Sequence, residues 1–409
     1  TNNQQPTTNN QQPTTNNQQP TTNNQLKVKS LRLILGNARY FGPSWVFASI
    51  NILFGTWAIY IPAVKDTLEI SKSELGIAIF FLALGVFTVF PFASGIVNKF
   101  GVGKVTFYGV MMSCTAAMLP LLASNYYVLM VALFLFGAAN GITDIAMNTL
   151  VTEIEKKDKV KFMAASHGFF SLGGVLAGLG SFLIGPLSNP VLHMSLAVLL
   201  VVLVNLKFRS QYFSEIAEEI ENEPFSLGLL KPLLLLGLIS FIAMGSEGAI
   251  VDWSGLYLKE VALAPEALWG IGFLGFQITM TLGRFLGDGI SDKIGSVKIV
   301  ALGAVFAILG YFLVLSADIT LSIIGFTLNG LGFSVMVPEV FRIGGNVKGI
   351  ESSKGIAFIA GTGYAGFLCA PPILGFLAEN YSLTRSFVVL LVCAFLILLF
   401  TLLLKRKTA

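Results

Sequence analysis

SGIVNKFGVGK, Ser94 to Lys104, and DGISDKIGSVK, Asp288 to Lys298, stand 194 residues apart, and each follows a long apolar stretch. The two share Gly95/Gly289, Lys99/Lys293, Gly101/Gly295 and Lys104/Lys298. A shift of 193 to 194 residues also pairs Gly76 with Gly270, Gly109 with Gly303, Gly137 with Gly330, Gly168 with Gly361 and Gly173 with Gly366. The chain therefore reads as a duplication. Each half carries six apolar stretches of spanning length, and the twelve lie between Trp45 and Leu404.

Composition says which solvent these stretches meet. Of 409 residues, 54% are hydrophobic and 12% charged, with a mean hydropathy of +0.77; soluble domains carry roughly 25% charged residues. A spanning helix needs about 20 mainly apolar residues, and lipid offers the backbone no hydrogen-bond partner, so helices are the form such runs take. The expected fold is an all-α polytopic membrane protein with 12 transmembrane helices in two pseudo-symmetric six-helix bundles. The expected organisation is a disordered repeat and basic leader (1–40), an N-terminal bundle (41–208), a cytoplasmic linker (209–231), a C-terminal bundle (232–404) and a cytoplasmic tail (405–409). Residues 1–25 repeat TNNQQPT and offer nothing to bury. The linker carries Glu215, Glu218, Glu219, Glu221 and Glu223, which suits a solvated tether.

Positive residues stay on the cytoplasmic side. With both termini cytoplasmic, 21 of the 26 Lys and Arg fall inside, and only Lys65, Lys72, Lys259 and Arg385 fall outside, with Arg284 within a span. The protein is therefore expected in the cytoplasmic (inner) membrane, and its net charge of +4 reports orientation, with no nucleic-acid partner implied. Lys27, Lys29, Arg32 and Arg39 are expected to lie against anionic lipid headgroups. Cys114, Cys369 and Cys393 lack ligand spacing, so no metal or other cofactor is expected. Trp45, Trp57, Trp253 and Trp269 fall toward span ends and read as interfacial anchors.

The paired loops resemble the signature of the major facilitator superfamily, Gly-x-x-x-Asp-Arg/Lys-x-Gly-x-x-Arg/Lys. Asp292, Lys293 and Gly295 match it in the second copy. The first copy departs, with Asn98 in the acidic position before Lys99 and Ser94 in place of the leading glycine. NGITDIAMN (Asn140–Asn148), SHGFFSLGG (Ser166–Gly174), EGAIVDWSGLYL (Glu247–Leu258) and GYAGFLCAPPILGFLAE (Gly363–Glu379) are similar to the bacterial YbjJ-type inner-membrane branch, related to the fucose permeases. This resemblance implies a secondary transporter, often proton-coupled, with no ATP site; in the family the loop aspartate helps lock the cytoplasmic face through charge-assisted bonds. Two parallel repeats place a substrate site between them near the midplane.

An ionisable residue near a helix centre costs about 2.5–3.5 kcal/mol on insertion scales and needs a function or a partner. Glu247, flanked by Gly245 and Gly248, is a candidate proton-coupling carboxylate or a structural hydrogen-bonding group between helices. Asp252 is about 140° further round an ideal helix, so the two cannot face one cavity unless the helix breaks between them; it reads as an outer-gate or interfacial residue, or as a coupling residue. Asn140, Asp144 and Asn148 form one polar stripe at intervals of four. A tight hairpin between the fourth and fifth spans would bring His167 to that stripe, giving an Asp144/Asn148/His167 cluster that binds substrate or relays a proton; the bland alternative is an interhelical hydrogen-bond cluster worth about 1 kcal/mol per bond or less. Arg284 and Asp288 at i, i+4 suit a structural or gating pair. Gln277, Asn51, Asn329, Tyr364 and Trp253 are further substrate-binding candidates, a set of amides and rings suited to a sugar or similar solute.

The expected function is secondary active transport of a small polar organic solute by alternating access, coupled to protons. An efflux antiporter for amphipathic compounds and a non-transporting sensor or scaffold are the rivals. An enzyme would need a nucleophile and base, or metal ligands, at one depth, and two histidines on opposite sides do not supply them. One chain suffices to enclose the cavity, so a monomer is expected.

Overall fold

The protein is represented by a computed structural model that describes residues 31–216, 230–347, 350 and 352–408. The TNNQQPT repeat and the acidic linker residues Glu218, Glu219, Glu221 and Glu223 lie outside the described residues. So do the side chains of Ser94, Asp288 and Asp292.

Every described element is helical. The first half holds α1 (Ala38–Thr67), α2 (Lys72–Phe100), α3 (Val102–Met118), α4 (Tyr126–Asp158), α5 (Met163–Leu179) and α6 (Pro190–Phe208). The second holds α7 (Leu230–Glu260), α8 (Ile271–Ile294), α9 (Ser296–Val314), α10 (Ile319–Phe333), α11 (Met336–Gly344), α12 (Ser352–Asn380) and α13 (Leu383–Thr408). The tenth expected span thus appears as two helices, α10 and α11, broken at Ser334 and Val335. Pro338 has no N–H to donate to the Ser334 carbonyl, which removes a bond the continuous helix would need. α1 begins at Ala38, with Asn37 capping it by accepting from the Arg39 N–H; residues 31–36 are also helical.

Eleven helical segments among the described residues, Ile319–Gly344 counted as one, are long and apolar enough to cross a membrane. The segment outside that set is α8, whose Gln277, Arg284, Asp288, Asp292 and Lys293 lower its hydropathy. At 24 residues it is about 36 Å long at 1.5 Å per residue and packs among α5, α7, α9 and α10. It is the twelfth crossing.

The duplication is visible in the packing. Within the first lobe α1 packs on α5 and α6, α2 on α4, and α3 on α4; in the second, α7 packs on α12 and α13, α8 on α10, and α9 on α10. Glycines set the helix separations. A Cβ at Gly173 of α5 would stand 2.2 Å from the Ala48 carbonyl of α1, and one at Gly366 of α12 would stand 2.1 Å from the Phe241 carbonyl of α7. Both contacting residues are 193 apart, so one backbone approach is built twice. The two paired loops repeat as well: Gly101 and Gly295 end α2 and α8 with φ of 87° and 88°, a region that side chains avoid.

α3, α6, α9 and α13 turn stripes of large apolar side chains outward, such as Leu196, Leu199 and Leu203 on α6 and Leu309 and Phe312 on α9. Such stripes suit lipid, and α4 and α8 carry them too, at Val131 and Leu135 and at Leu282 and Leu286, while α1 and α7 are largely enclosed. The linker does not begin as a free tether. Tyr212 is fully buried, the Gly103 N–H donates to the Glu215 carbonyl at 3.0 Å, and the buried Glu215 carboxylate pairs with Arg39 at 3.0 Å and Lys157 at 3.3 Å. Arg39 also pairs with Asp158. Residues 209–216 are thereby docked on the first lobe.

Candidate functional site

Three seams join the lobes: α1 with α7, α2 with α12, and α5 with α8. On the face away from the linker all three are shut. Glu260 at the end of α7 receives Lys65 at 3.2 Å and Lys72 at 2.9 Å, and Lys259 pairs with Asp66 while lying 4.9 Å from the centroid of the Trp269 ring. The Lys72 N–H donates to Glu379 of α12 at 2.9 Å. Beneath these charges the backbones nearly touch. A Cβ at Gly76 would lie 2.4 Å from the Pro371 carbonyl and one at Gly375 2.5 Å from the Lys72 carbonyl, while one at Gly270 would lie 2.4 Å from Ser181 Cβ. Gly375 and Ser181 are 194 residues apart, so the α2–α12 and α5–α8 seams are copies of each other.

Going inward, Asn51 of α1 and Gln277 of α8 meet over Gly174 of α5; a Cβ there would be 2.7 Å from both side chains. Asn51 donates to the Phe170 carbonyl at 2.9 Å, and both amides are buried. They form a polar plug under the closed face.

The next layer carries the charges. Near the middle of α8, Arg284 donates to Ser171 Oγ of α5 at 2.8 Å and to Glu247 Oε1 of α7 at 3.3 Å. Arg284 thus ties the first lobe to a buried-span carboxylate of the second. Both members of the pair keep some accessibility, with 26% and 17% of their side chains exposed, which a dry core pair would lack. His167, one turn from Ser171, is exposed, sets its ring edge-on to Phe47 at 5.1 Å, and feels the charge of Arg284. Across the site Tyr364 of α12 packs against Phe87 and Phe90 of α2 with centroids 6.4 and 5.9 Å away. Pro91 follows directly; its missing N–H frees the Phe87 carbonyl and loosens α2 at the ring cluster.

Toward the linker face the seams part. One turn past Tyr364, no described atom of another helix lies within 4 Å of a Cβ built on Gly361, and the same holds at Gly95 of α2. Among the described glycines of α5 and α8, the close approach nearest the linker face is Gly168 to Phe285, at 2.6 Å. The charged layer therefore sits at the bottom of a hollow closed on the far side.

Several sequence expectations need correction. The tight α4–α5 hairpin is absent: α4 packs on α2 and α3, whereas α5 packs on α1 and α8. Asn148 accordingly donates to the Asp144 carbonyl at 2.8 Å and carboxylate at 3.3 Å within α4, and His167 makes no hydrogen bond to either. Chain neighbours are held apart because α1 takes the place beside α5. Trp253 and Asn329 are fully buried with no hydrogen-bond partner for their side-chain nitrogens; Asn329 is wedged against Gly310 of α9, 2.4 Å from where a Cβ would stand, inside the second lobe and away from the hollow. Trp57 is likewise buried, so neither it nor Trp253 is an interfacial anchor. Asn140 and Asp252 are nearly buried, each with one unpartnered oxygen. Arg284 reaches Glu247, and its expected partner Asp288 has its side chain outside the described residues, as does Asp292. Asn98, Lys99 and Lys293 are exposed at the linker-side ends of α2 and α8.

Two sets of residues escaped the sequence reading. Lys65, Lys72 and Lys259 were counted only for orientation, although acids beside them, Asp66 and Glu260, signalled pairs. Ser171, Phe87 and Phe90 carry no local signal, because serine and phenylalanine are common in spans.

Two pseudo-symmetric lobes of six spans, meeting on a charged contact at mid-depth, define the class: a multi-pass membrane transporter. The chain belongs to the Major Facilitator Superfamily, whose family profile matches residues 45–340. It is 29% identical over 340 residues to membrane protein MosC of Rhizobium meliloti, covering 82% of this chain and 83% of that one. It is 30% identical over 333 residues to an uncharacterized MFS-type transporter of Yersinia pestis, covering 81% and 86%. A putative glucose/galactose transporter of Helicobacter pylori is 24% identical over 375 residues, covering 84% and 91%. The crystal structure of the nucleoside transporter NupG superimposes with a TM-score of 0.70 at 15% identity, covering 90% of this chain and 98% of that chain; this likeness is one of fold. Membership of this family makes the protein a transporter and not an enzyme.

Proposed function

We propose that the protein is a secondary active transporter that moves a small polar organic solute by alternating access, coupled to protons through Glu247 and Asp144, and that it acts as a monomer in the inner membrane with the linker face and both termini cytoplasmic. The single observation that carries this reading is the Arg284–Glu247–Ser171 contact. It joins the lobes at mid-depth, below a face sealed by cross-lobe ion pairs and above seams that part. A solute reaching Arg284 from the linker face must disturb the contact that holds the lobes in this arrangement, which links occupancy to lobe position. Asn148, His167, Tyr364 and the Asn51/Gln277 plug supply further polar groups within that space. The lobes are assigned to residues 41–208 and 232–404, with 209–231 joining them. Relatives described as transporters of glucose/galactose and, by fold, of nucleosides support small polar cargo.

The test is counterflow in proteoliposomes with a labelled panel of sugars, nucleosides and small polar metabolites, with and without a pH gradient. Accumulation of at least one solute, driven by an inwardly directed proton gradient and lost in Glu247→Gln, is the expected result. Binding of a solute with no exchange by any panel member would favour a sensor, and dye extrusion without polar-solute exchange would favour an efflux antiporter.

A further inference from the structure

Among the described interior side chains the charges do not balance. Arg284 is matched by Glu247 across α8 and α7. Asp144 is matched by nothing cationic: its carboxylate meets the Asn148 amide of its own helix at 3.3 Å and forms no ion pair. It is partly accessible and, because Gly137 and Gly141 of α4 pack on Leu82 and Val86 of α2, stands level with Phe90, whose ring gathers with those of Phe87 and Tyr364 at centroid separations of 5.7 to 6.4 Å. One turn further along α12 the space over Gly361 is open. An unmatched carboxylate next to aromatic rings at the edge of an open hollow is the arrangement that receives an organic ammonium ion: the acid supplies the charge, and ring faces attract the cation while desolvating its carbon frame.

We propose that this site selects solutes bearing a protonated amine, with the ammonium group seated between the Asp144 carboxylate and the ring of Tyr364. This rests on the transporter reading above and narrows its substrate class. The Arg284–Glu247–Ser171 group, whose own charges already cancel, then faces the uncharged or hydroxylated remainder of the solute. A neutral sugar would bring no counter-charge to Asp144 and leave its neutralisation to the coupled proton, and a carboxylate would be repelled by it.

The experiment uses the full chain in detergent and a set of matched probes that differ at one position, glucosamine with glucose and ethanolamine with ethylene glycol, together with glucuronate. Thermal shift and competition between members give the preference. The expected result is that in at least one pair the amine binds at least tenfold tighter than its alcohol. Asp144→Asn abolishes that preference, Asp144→Glu retains it, and Tyr364→Leu weakens it. An elution profile and melting temperature like the parent's show that each variant is folded. The proposal is overturned if no amine outbinds its alcohol, if glucuronate is preferred, or if Asp144→Asn keeps the preference. Counterflow separates the two levels: exchange of a neutral or acidic solute would keep the protein a transporter and sink the amine site alone.

Discussion

Glu260 is the residue on which the closed face turns, and replacing it with Gln tests the structure without changing side-chain size. Its two oxygens hold Lys65 and Lys72, and the three side chains are 22%, 15% and 25% exposed. Pairs of this kind are worth about 0.2–1 kcal/mol each, and partial burial puts these toward the upper end. Losing both therefore costs the closed arrangement about 1–2 kcal/mol, a shift of roughly 5- to 30-fold toward open forms. Ile59 reports the change, because it is 3% exposed and packs where the α1 and α8 ends meet Gly270. With Ile59→Cys in a background lacking Cys114, Cys369 and Cys393, the rate of thiol labelling in detergent tracks the open population. Glu260→Gln is expected to raise that rate about 5- to 30-fold, and high salt is expected to raise the parent's rate toward it through screening. Glu153→Gln, which removes the Lys156 pair on the linker side, serves as the control. Equal labelling of the Glu260 variant and its parent would refute the claim that these pairs hold the far face shut.

The central pair makes a sharper demand on thermodynamics. Arg284→Met strands the Glu247 carboxylate and, at a pair that keeps some accessibility, is expected to lower stability by about 1–3 kcal/mol, whereas adding Glu247→Met should restore most of it; denaturation of Arg284→Met, Glu247→Met and the double variant decides, and additive losses would show the two are not coupled. His167→Gln keeps a polar group facing the hollow but cannot carry a proton, so uptake at saturating solute is expected to fall at least tenfold if the ring relays protons and to be unchanged if it only packs on Phe47. Gly173→Leu forces a side chain into the Ala48 backbone and should cost at least the 1–3 kcal/mol typical of overpacking, seen as a lower melting temperature; an unchanged value would mean that α1 and α5 do not pack this closely.

The order of the amino acids by itself determined that the chain spans a membrane twelve times and is built from two copies of one unit. Hydropathy is a local sum, and the glycines that permit close helix approach recur at a fixed shift, so both survive translation into structure without knowledge of contacts. The identity of the intramembrane charges was equally legible, since an acid among apolar neighbours stands out wherever it ends up. What the sequence left undecided was which helices touch. Lipid removes the hydrophobic preference of one apolar helix for another, so adjacency in the chain is a poor guide: α4 and α5 are consecutive yet face different neighbours, and Asp144 and His167 do not pair. Only the tertiary structure brought Arg284 to Ser171 and Glu247, sent Trp253 and Asn329 into the interior of a lobe, and turned three lysines counted for topology into half of an ion-pair seal. Those outcomes depend on the angle of each helix about its axis and on the two lobes docking, and neither is encoded in any stretch shorter than the whole chain.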